Sequence, residues 1–396
     1  MRILAALSCV LVTLPGTLEL LLLSLGALAS RWLPRPRALP QAASGRIAVV
    51  VPAHNEEATL GECLRSLQLA ITADGQADLV VVADCCTDAT AAVAQAQGAR
   101  VLVRDAAAER GKGFALRHAW QQLRTEPVAA LAVVDADSVV DRSFVREIRR
   151  HLHSDADAVQ VRNLVRNASA SPRTRLLALG LCAMNLVRPL GRERLGCSAG
   201  LFGNGFAVRR EALEQVPFSG RSITEDLDYH IRLVLAGRRV RFVDTTSVWS
   251  DMPTTEREAR GQRARWEGGR LNAAIRWAPR LLRGVAAGRL RLLEPLLDLL
   301  LLPLAYHAAL LSLLLLLPWT PGRIWGAFGL AVLAFHVALA ARLGGRLRDL
   351  AFLPAVPFYL LWKLALLGRI VAAARPGAAW LRAPRRHDAP RWRPPS

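Results

Sequence analysis

The chain has 396 residues, 52 of them Lys or Arg against 32 Asp or Glu, giving a formal net charge of +20. With 52% hydrophobic residues and a mean hydropathy of +0.24, it is too apolar for one ordinary soluble domain and does not have the composition of a disordered or collagen-like chain. No zinc-ligand spacing or basic-leucine heptad accompanies the arginines, and many of them flank apolar stretches, so the charge points to a membrane surface and not to nucleic acid.

Residues 3–30 form a nearly unbroken apolar run, long enough to cross the roughly 30 Å hydrocarbon core of a bilayer. The run is longer than the apolar core of a signal peptide, about 7–15 residues, and ends at Arg31, Arg35 and Arg37, which predicts an uncleaved anchor over 1–30. Positive charge just beyond a span stays cytoplasmic, so the middle of the chain is read as cytoplasmic. A Pro- and Arg-rich linker follows over 31–45.

Residues 46–280 read as one soluble domain in which strands and helices alternate. Residues 47–51 are a β-branched run leading through Pro-Ala-His-Asn-Glu-Glu into an amphipathic helix over 58–69. A strand over 79–83 ends at Asp84 and precedes a helix over 89–97; a strand over 99–103 follows. Residues 131–134 form another strand, ending in Asp135-Ala136-Asp137. This alternation predicts an α/β fold with a mainly parallel sheet and helices on both faces, whose ligands bind beyond the carboxyl ends of the strands.

Three more apolar stretches, 296–319, 324–341 and 350–367, make 281–373 a C-terminal membrane region. The first two suit an out-and-back pair of transmembrane helices, with Arg280, Arg283, Arg289 and Arg291 before and Arg342, Arg346 and Arg348 after. The third carries Pro354, Pro357 and Lys363, and a crossing there would export the arginines of the basic tail over 374–396. It is therefore read as re-entrant or interfacial. Glu19 and Asp298 lie in or beside apolar runs, where a carboxylate calls for a partner or a role. The six cysteines have neither metal spacing nor a disulfide framework and are read as reduced packing residues.

Several strings carry possible chemistry. Asp135 and Asp137 can both turn toward one hard cation, Mg²⁺ or Mn²⁺, whose remaining ligands are phosphate oxygens and water; a polar turn is the plain alternative. Asp84 can accept hydrogen bonds from a nucleotide base or ribose, or form an Asx turn. Arg110-Gly111-Lys112-Gly113 puts a cation on a flexible loop suited to phosphate, and Lys112 is one of only two lysines, with Lys363. Thr224-Glu225-Asp226 opens a helix, either as a cap with dipole-complementing acids or as the seat of a general base for an attacking hydroxyl. In Gln262-Arg263-Ala264-Arg265-Trp266, Gln262, Arg265 and Trp266 share one helix face, where an amide, a guanidinium and an indole can line a cleft. A basic amphipathic helix at a membrane surface is the alternative there.

In this order, and with the opening Val-Pro-Ala-His-Asn-Glu-Glu, these strings resemble the membrane-embedded family-2 glycosyltransferases, among them cellulose, hyaluronan, chitin-oligosaccharide and poly-N-acetylglucosamine synthases and ceramide glucosyltransferase. The resemblance covers about residues 46–280. It implies a GT-A-like fold that takes a sugar from a nucleoside diphosphate, usually UDP, with inversion and with Mg²⁺ or Mn²⁺. Asp84 would contact the nucleotide, Asp135 the nucleotide and diphosphate, and Asp137 the metal together with Asp135. Asp226, with Glu225 beside it, would be the catalytic base. Gln262, Arg265 and Trp266 would hold diphosphate and acceptor, and Lys112 and Glu56 join the substrate-binding set. Residues 202–206, Phe-Gly-Asn-Gly-Phe, resemble the acceptor-side loop. The chain has fewer spans than cellulose synthases, too few for a whole secretion channel, which leaves a secretion partner or self-association open. Growth of a polysaccharide or oligosaccharide at the cytoplasmic face is the favoured expectation, with single-sugar transfer to a membrane lipid close behind; a catalytically inactive scaffold that binds sugar nucleotides is the reading from another class.

Overall fold

The computed structural model describes residues 2–30, 45–106, 108–154, 156–220 and 224–374. The expected linker over 31–45 and tail over 374–396 lie outside them, apart from Gly45 and Ala374. In chain order, α1 (Arg2–Ala29) precedes β1 (Arg46–Ala53), α2 (Leu60–Asp74), β2 (Ala77–Asp84), α3 (Thr90–Ala96), β3 (Arg100–Arg104), α4 (Lys112–Leu123) and β4 (Val128–Val133). Next come β5 (Ser138–Val140), α5 (Phe144–Ser154), β6 (Ala158–Val165), α6 (Pro172–Cys182), α7 (Arg188–Arg194), β7 (Phe206–Arg209), α8 (Arg210–Gln215), α9 (Glu225–Leu235) and β8 (Val240–Ser250). The rest of the described chain is mainly helical: α10 (Glu256–Ala286), α11 (Leu293–Leu300), α12 (Leu304–Leu316), α13 (Thr320–Leu343), α14 (Val356–Leu364) and α15 (Leu367–Ala373).

Two compact units emerge. The first comprises the described residues of Pro36–Asn167 and Ser198–Gln262. Its sheet runs β3-β2-β1-β4-β7-β6-β8-β5. The strands β3, β2, β1 and β4 are mutually parallel, as the strand–helix alternation predicts. They read as continuous apolar runs because both faces are covered: Val49 and Val51 of β1 are buried on one side with Leu60, Leu64 and Leu67 of α2, while Val50 is equally buried. Beyond β4 the sheet becomes mixed, since β7 is antiparallel to β4 and β6, β6 and β8 are parallel, and β5 is antiparallel to β8. The parallel half puts Asp84, at the end of β2, and Asp135, just past β4, on the same sheet edge.

The second unit comprises the described residues of Met1–Arg35, Ala168–Cys197 and Arg263–Ala378. Residues 168–197, which the sequence reading grouped with 46–280, thus pack with the N-terminal helix. Contacts on α7 explain why. A Cβ on Gly191 would stand 2.2 Å from the Leu23 carbonyl oxygen, so the absence of a side chain lets α7 reach the α1 backbone. Beside it, buried Arg188 donates to Glu19 of α1 at 2.8 Å and to Asp298 of α11 at 2.6 Å. Arg192 also donates to Asp298, at 2.6 Å, and pairs with Glu294. The carboxylates singled out in the apolar runs therefore neutralise two arginines that could not otherwise be buried.

Among the described residues, two helices are long and apolar enough to cross a membrane, Ile3–Ala29 and Thr320–Leu343. The stretch expected as a single helix over 296–319 is divided into α11 and α12, and the helical pair Leu290–Leu300 and Leu304–Leu316 is bent by 78°. The break covers Leu301, Leu302 and Pro303, because the proline disfavours helical geometry at Leu302 before it and offers no N–H to continue the helix. Counted as one broken span, this pair makes three. The stretch expected over 350–367 is divided into a 3₁₀ segment, Leu347–Ala355, followed by α14 and α15.

Candidate active site

The loops after β1 and β2 begin at the sheet edge with residues in left-handed backbone geometry, Asn55 at φ 53° and Cys85 at φ 50°. They clasp one another: the Thr87 N–H donates to Asn55 Oδ1 at 2.8 Å, the Glu56 N–H to Thr90 Oγ1 at 2.7 Å, and the Ala89 N–H to Glu57 Oε2 at 2.9 Å. The Glu56 carboxylate accepts from Thr59 Oγ1 at 2.8 Å, opening α2. Asp84 is buried and accepts from Arg104 Nη1 at 2.6 Å. Residue Arg104 lies directly opposite Asp84 on β3. An ion pair, not an Asx turn, therefore orients Asp84. The sequence reading missed Arg104 because arginine is so common here that one more carries no signal.

At the end of β4, Asp135 and Asp137 are half-buried and flank fully buried Ala136, so the alternation turns both acids out of the core. Lys112, at the start of α4, donates to Asp135 Oδ1 and to the Gly203 carbonyl oxygen. Burial works against its charge, but Asp135 and then Glu225 hold its pKa above the ordinary lysine value. The loop 202–206 is fixed by its own Asn204 and by Gln160, which the sequence reading did not single out. Asn204 accepts from the Asp135 N–H at 3.0 Å and donates to Ser138 Oγ at 2.8 Å. Gln160 accepts from the Phe202 N–H at 2.9 Å and donates to the Asn204 carbonyl at 2.8 Å. Gly203 adopts φ 78°, and a Cβ there would lie 3.2 Å from Asp226 Oδ2. A larger residue would pay for both the conformation and the contact.

Glu225 and Asp226 open α9 and line a cavity with Gly113, Leu116, Phe206, Phe218, Ser219 and Tyr229. Thr224 stands at the N-cap without a side-chain capping bond, and Glu225, Asp226 and Asp228 lie in the first turn, where acids complement the positive end of the helix. Burial, then the adjacent Asp226, pushes the Glu225 carboxyl up to about 7. Asp226 is also raised, chiefly by burial, with Lys112 opposing the shift. The structure thus gathers Lys112, Asp135, Glu225 and Asp226 around Gly203, an arrangement of one cation among three carboxylates.

No group of three or more His, Cys, Asp and Glu side chains among the described residues forms a metal cage. The donor chemistry nevertheless fits Mg²⁺ or Mn²⁺, which bind through one or two carboxylates and complete their shells with phosphate oxygen and water. Asp135 and Asp137 are of that kind. Gln262, Arg265 and Trp266 are all half-buried on α10, at the helical spacing the sequence reading expected. The division between the two units falls inside this helix, between Gln262 and Arg263.

Residues 44–269 match the family model described as "Glycosyltransferase like family 2". The chain belongs to the family-2 glycosyltransferases. Among curated proteins, this glycosyltransferase is 31% identical over 232 residues to a beta-monoglucosyldiacylglycerol synthase of Synechocystis sp., covering 57% of this chain and 48% of that protein. It is 24% identical over 256 residues to a probable glycosyltransferase, YdaM, of Bacillus subtilis, covering 62% and 59%. The chain thus spans roughly half of the length of these relatives. Its fold is that of the mannosyltransferase PcManGT of Pyrobaculum calidifontis, solved with GDP-Man and Mn²⁺, at a TM-score of 0.56 and 19% identity over 92% of this chain and 99% of that one.

Proposed function

We propose that this glycosyltransferase moves a sugar from a nucleoside diphosphate, with UDP as the carrier, onto the hydroxyl of a membrane lipid at the cytoplasmic face, with inversion. The observation that carries this reading is the arrangement around Gly203. Lys112 donates to the Gly203 carbonyl and to Asp135, while Asp226 lies where a side chain on Gly203 would stand. A cation for the leaving diphosphate and a carboxylate for the attacking hydroxyl are thereby separated by one loop residue.

In this reading Asp226 accepts the proton of the acceptor hydroxyl, the oxygen forms a bond to the anomeric carbon, and the bond from that carbon to the diphosphate breaks. Lys112 meets the charge that develops on the departing diphosphate. Asp135 and Asp137 would hold Mg²⁺ or Mn²⁺, which supplies further charge neutralisation when bound. Asp84, held by Arg104, would orient the nucleoside. A lipid acceptor is supported by two candidate spans, or three with the bent pair, and by the name of the Synechocystis relative. Arginines flanking the spans support the cytoplasmic orientation.

The test is product mass. The full chain in vesicles containing diacylglycerol, supplied with UDP-sugars and Mg²⁺ or Mn²⁺, is expected to yield lipid carrying one added sugar. A ladder of glycan lengths would replace the lipid reading with the polymer reading.

A further inference from the structure

The helices α14 and α15 present two faces of unusual character. Their inner face meets α10: Leu366 and Ile370 cluster with Ala264, Trp362 packs against that cluster, and the Ala374 carbonyl accepts from Asn272 Nδ2 at 2.9 Å. On that face lies Lys363, only 3% exposed, whose Nζ is 2.7 Å from Glu267 Oε1 and 4.7 Å from the centre of the Tyr306 ring. The opposite face is apolar and open, with Phe358 75% exposed, Leu361 64% and Val371 54%, and with Leu364 and Leu367 also exposed. A water-facing helix would turn its lysine out and its leucines in; this one does the reverse.

Three features favour a lipid surface over water or a second copy as the occupant of that face. The segment follows α13, one of the span-length helices, after a nine-residue 3₁₀ turn of chain. Exposed Arg348 and Arg369 adjoin the apolar side chains, where they suit anionic headgroups. The adjoining α10 carries exposed Arg276 and Arg280, which are too costly to place deep in hydrocarbon, so a segment packed along α10 lies at the membrane boundary and does not cross it.

We propose that α14 and α15 lie flat in the membrane–water boundary with their outer face in lipid, and that the Lys363–Glu267 pair thereby ties the part of α10 bearing Arg265 and Trp266 to the membrane surface. Glu267 is the residue after Trp266, so the membrane contact is passed on within one helical turn. This rests on the proposed glycosyl transfer only where the family resemblance assigns Arg265 and Trp266 to substrate.

The full chain, reconstituted in nanodiscs of zwitterionic and anionic phospholipid, is given p-benzoylphenylalanine at Phe358, Leu361 or Val371 and irradiated. Adducts of phospholipid mass at all three positions are expected. Cross-linked dimers, or protein free of lipid adducts, would overturn the proposal. In a second arm, Glu267→Lys and Lys363→Glu are each expected to lower both the lipid-adduct yield and UDP release several-fold, and the double exchange to restore them. Single variants with unchanged adduct yield would remove the coupling. The adduct readout does not depend on turnover, so failure of the glycosyltransferase reading and failure of this one are distinguishable.

Discussion

Asp226 sits in a half-buried pocket mouth beside Glu225, and both carboxyls are raised, while Lys112 works in the other direction. Replacing Asp226 with Asn is expected to lower turnover by about 10²–10⁴-fold while UDP binding persists, since the proposed base is lost while Lys112 keeps Asp135 as its partner; titration calorimetry with UDP alongside a turnover assay checks both. Folded Glu225 takes up its proton near pH 7, against 4.5 for the ordinary side chain, so the folded state holds the extra proton between those values and stability declines as pH rises through that window. Glu225→Gln removes this penalty, and its Tm is expected to exceed that of the wild type at pH 8 by more than at pH 5. Arg104→Met would leave Asp84 buried without its partner and is expected to weaken UDP binding at least several-fold, again read by calorimetry. The acids of this site were readable from spacing because each ends a strand or starts a helix. Arg104 and Gln160 were not, since their partners lie 20 and 42 residues away and nothing local marks them.

The elements divide by how local their causes are. Strands β1, β2 and β4 were readable because a parallel strand covered on both faces is a continuous apolar run. The placement of α7 was not, because its reasons lie in distant residues: the bare Gly191 surface against Leu23, and Arg188 against Glu19, 169 residues apart. Gly191→Leu is expected to force α1 and α7 apart and lower Tm, measured on the detergent-purified chain. Arg188→Met would leave Glu19 and Asp298 short of a buried partner and is expected to cost about 3–5 kcal/mol. The division of 296–319 was signalled by Pro303, but apolar content outweighed that single residue in reading the stretch as one helix.

As a whole, the molecule combines a family-2 glycosyltransferase domain with apolar helices at both ends of the described chain. Lys112, Asp135 and Asp226 are proposed to form one transfer site. The most direct test is UDP release from a panel of UDP-sugars by the full chain in vesicles containing diacylglycerol and Mg²⁺ or Mn²⁺, comparing wild type with Asp226→Asn. Metal-dependent release by the wild type, lost in the variant, is the result predicted. Equal release from both proteins would contradict the assignment of Asp226 and with it the proposed site.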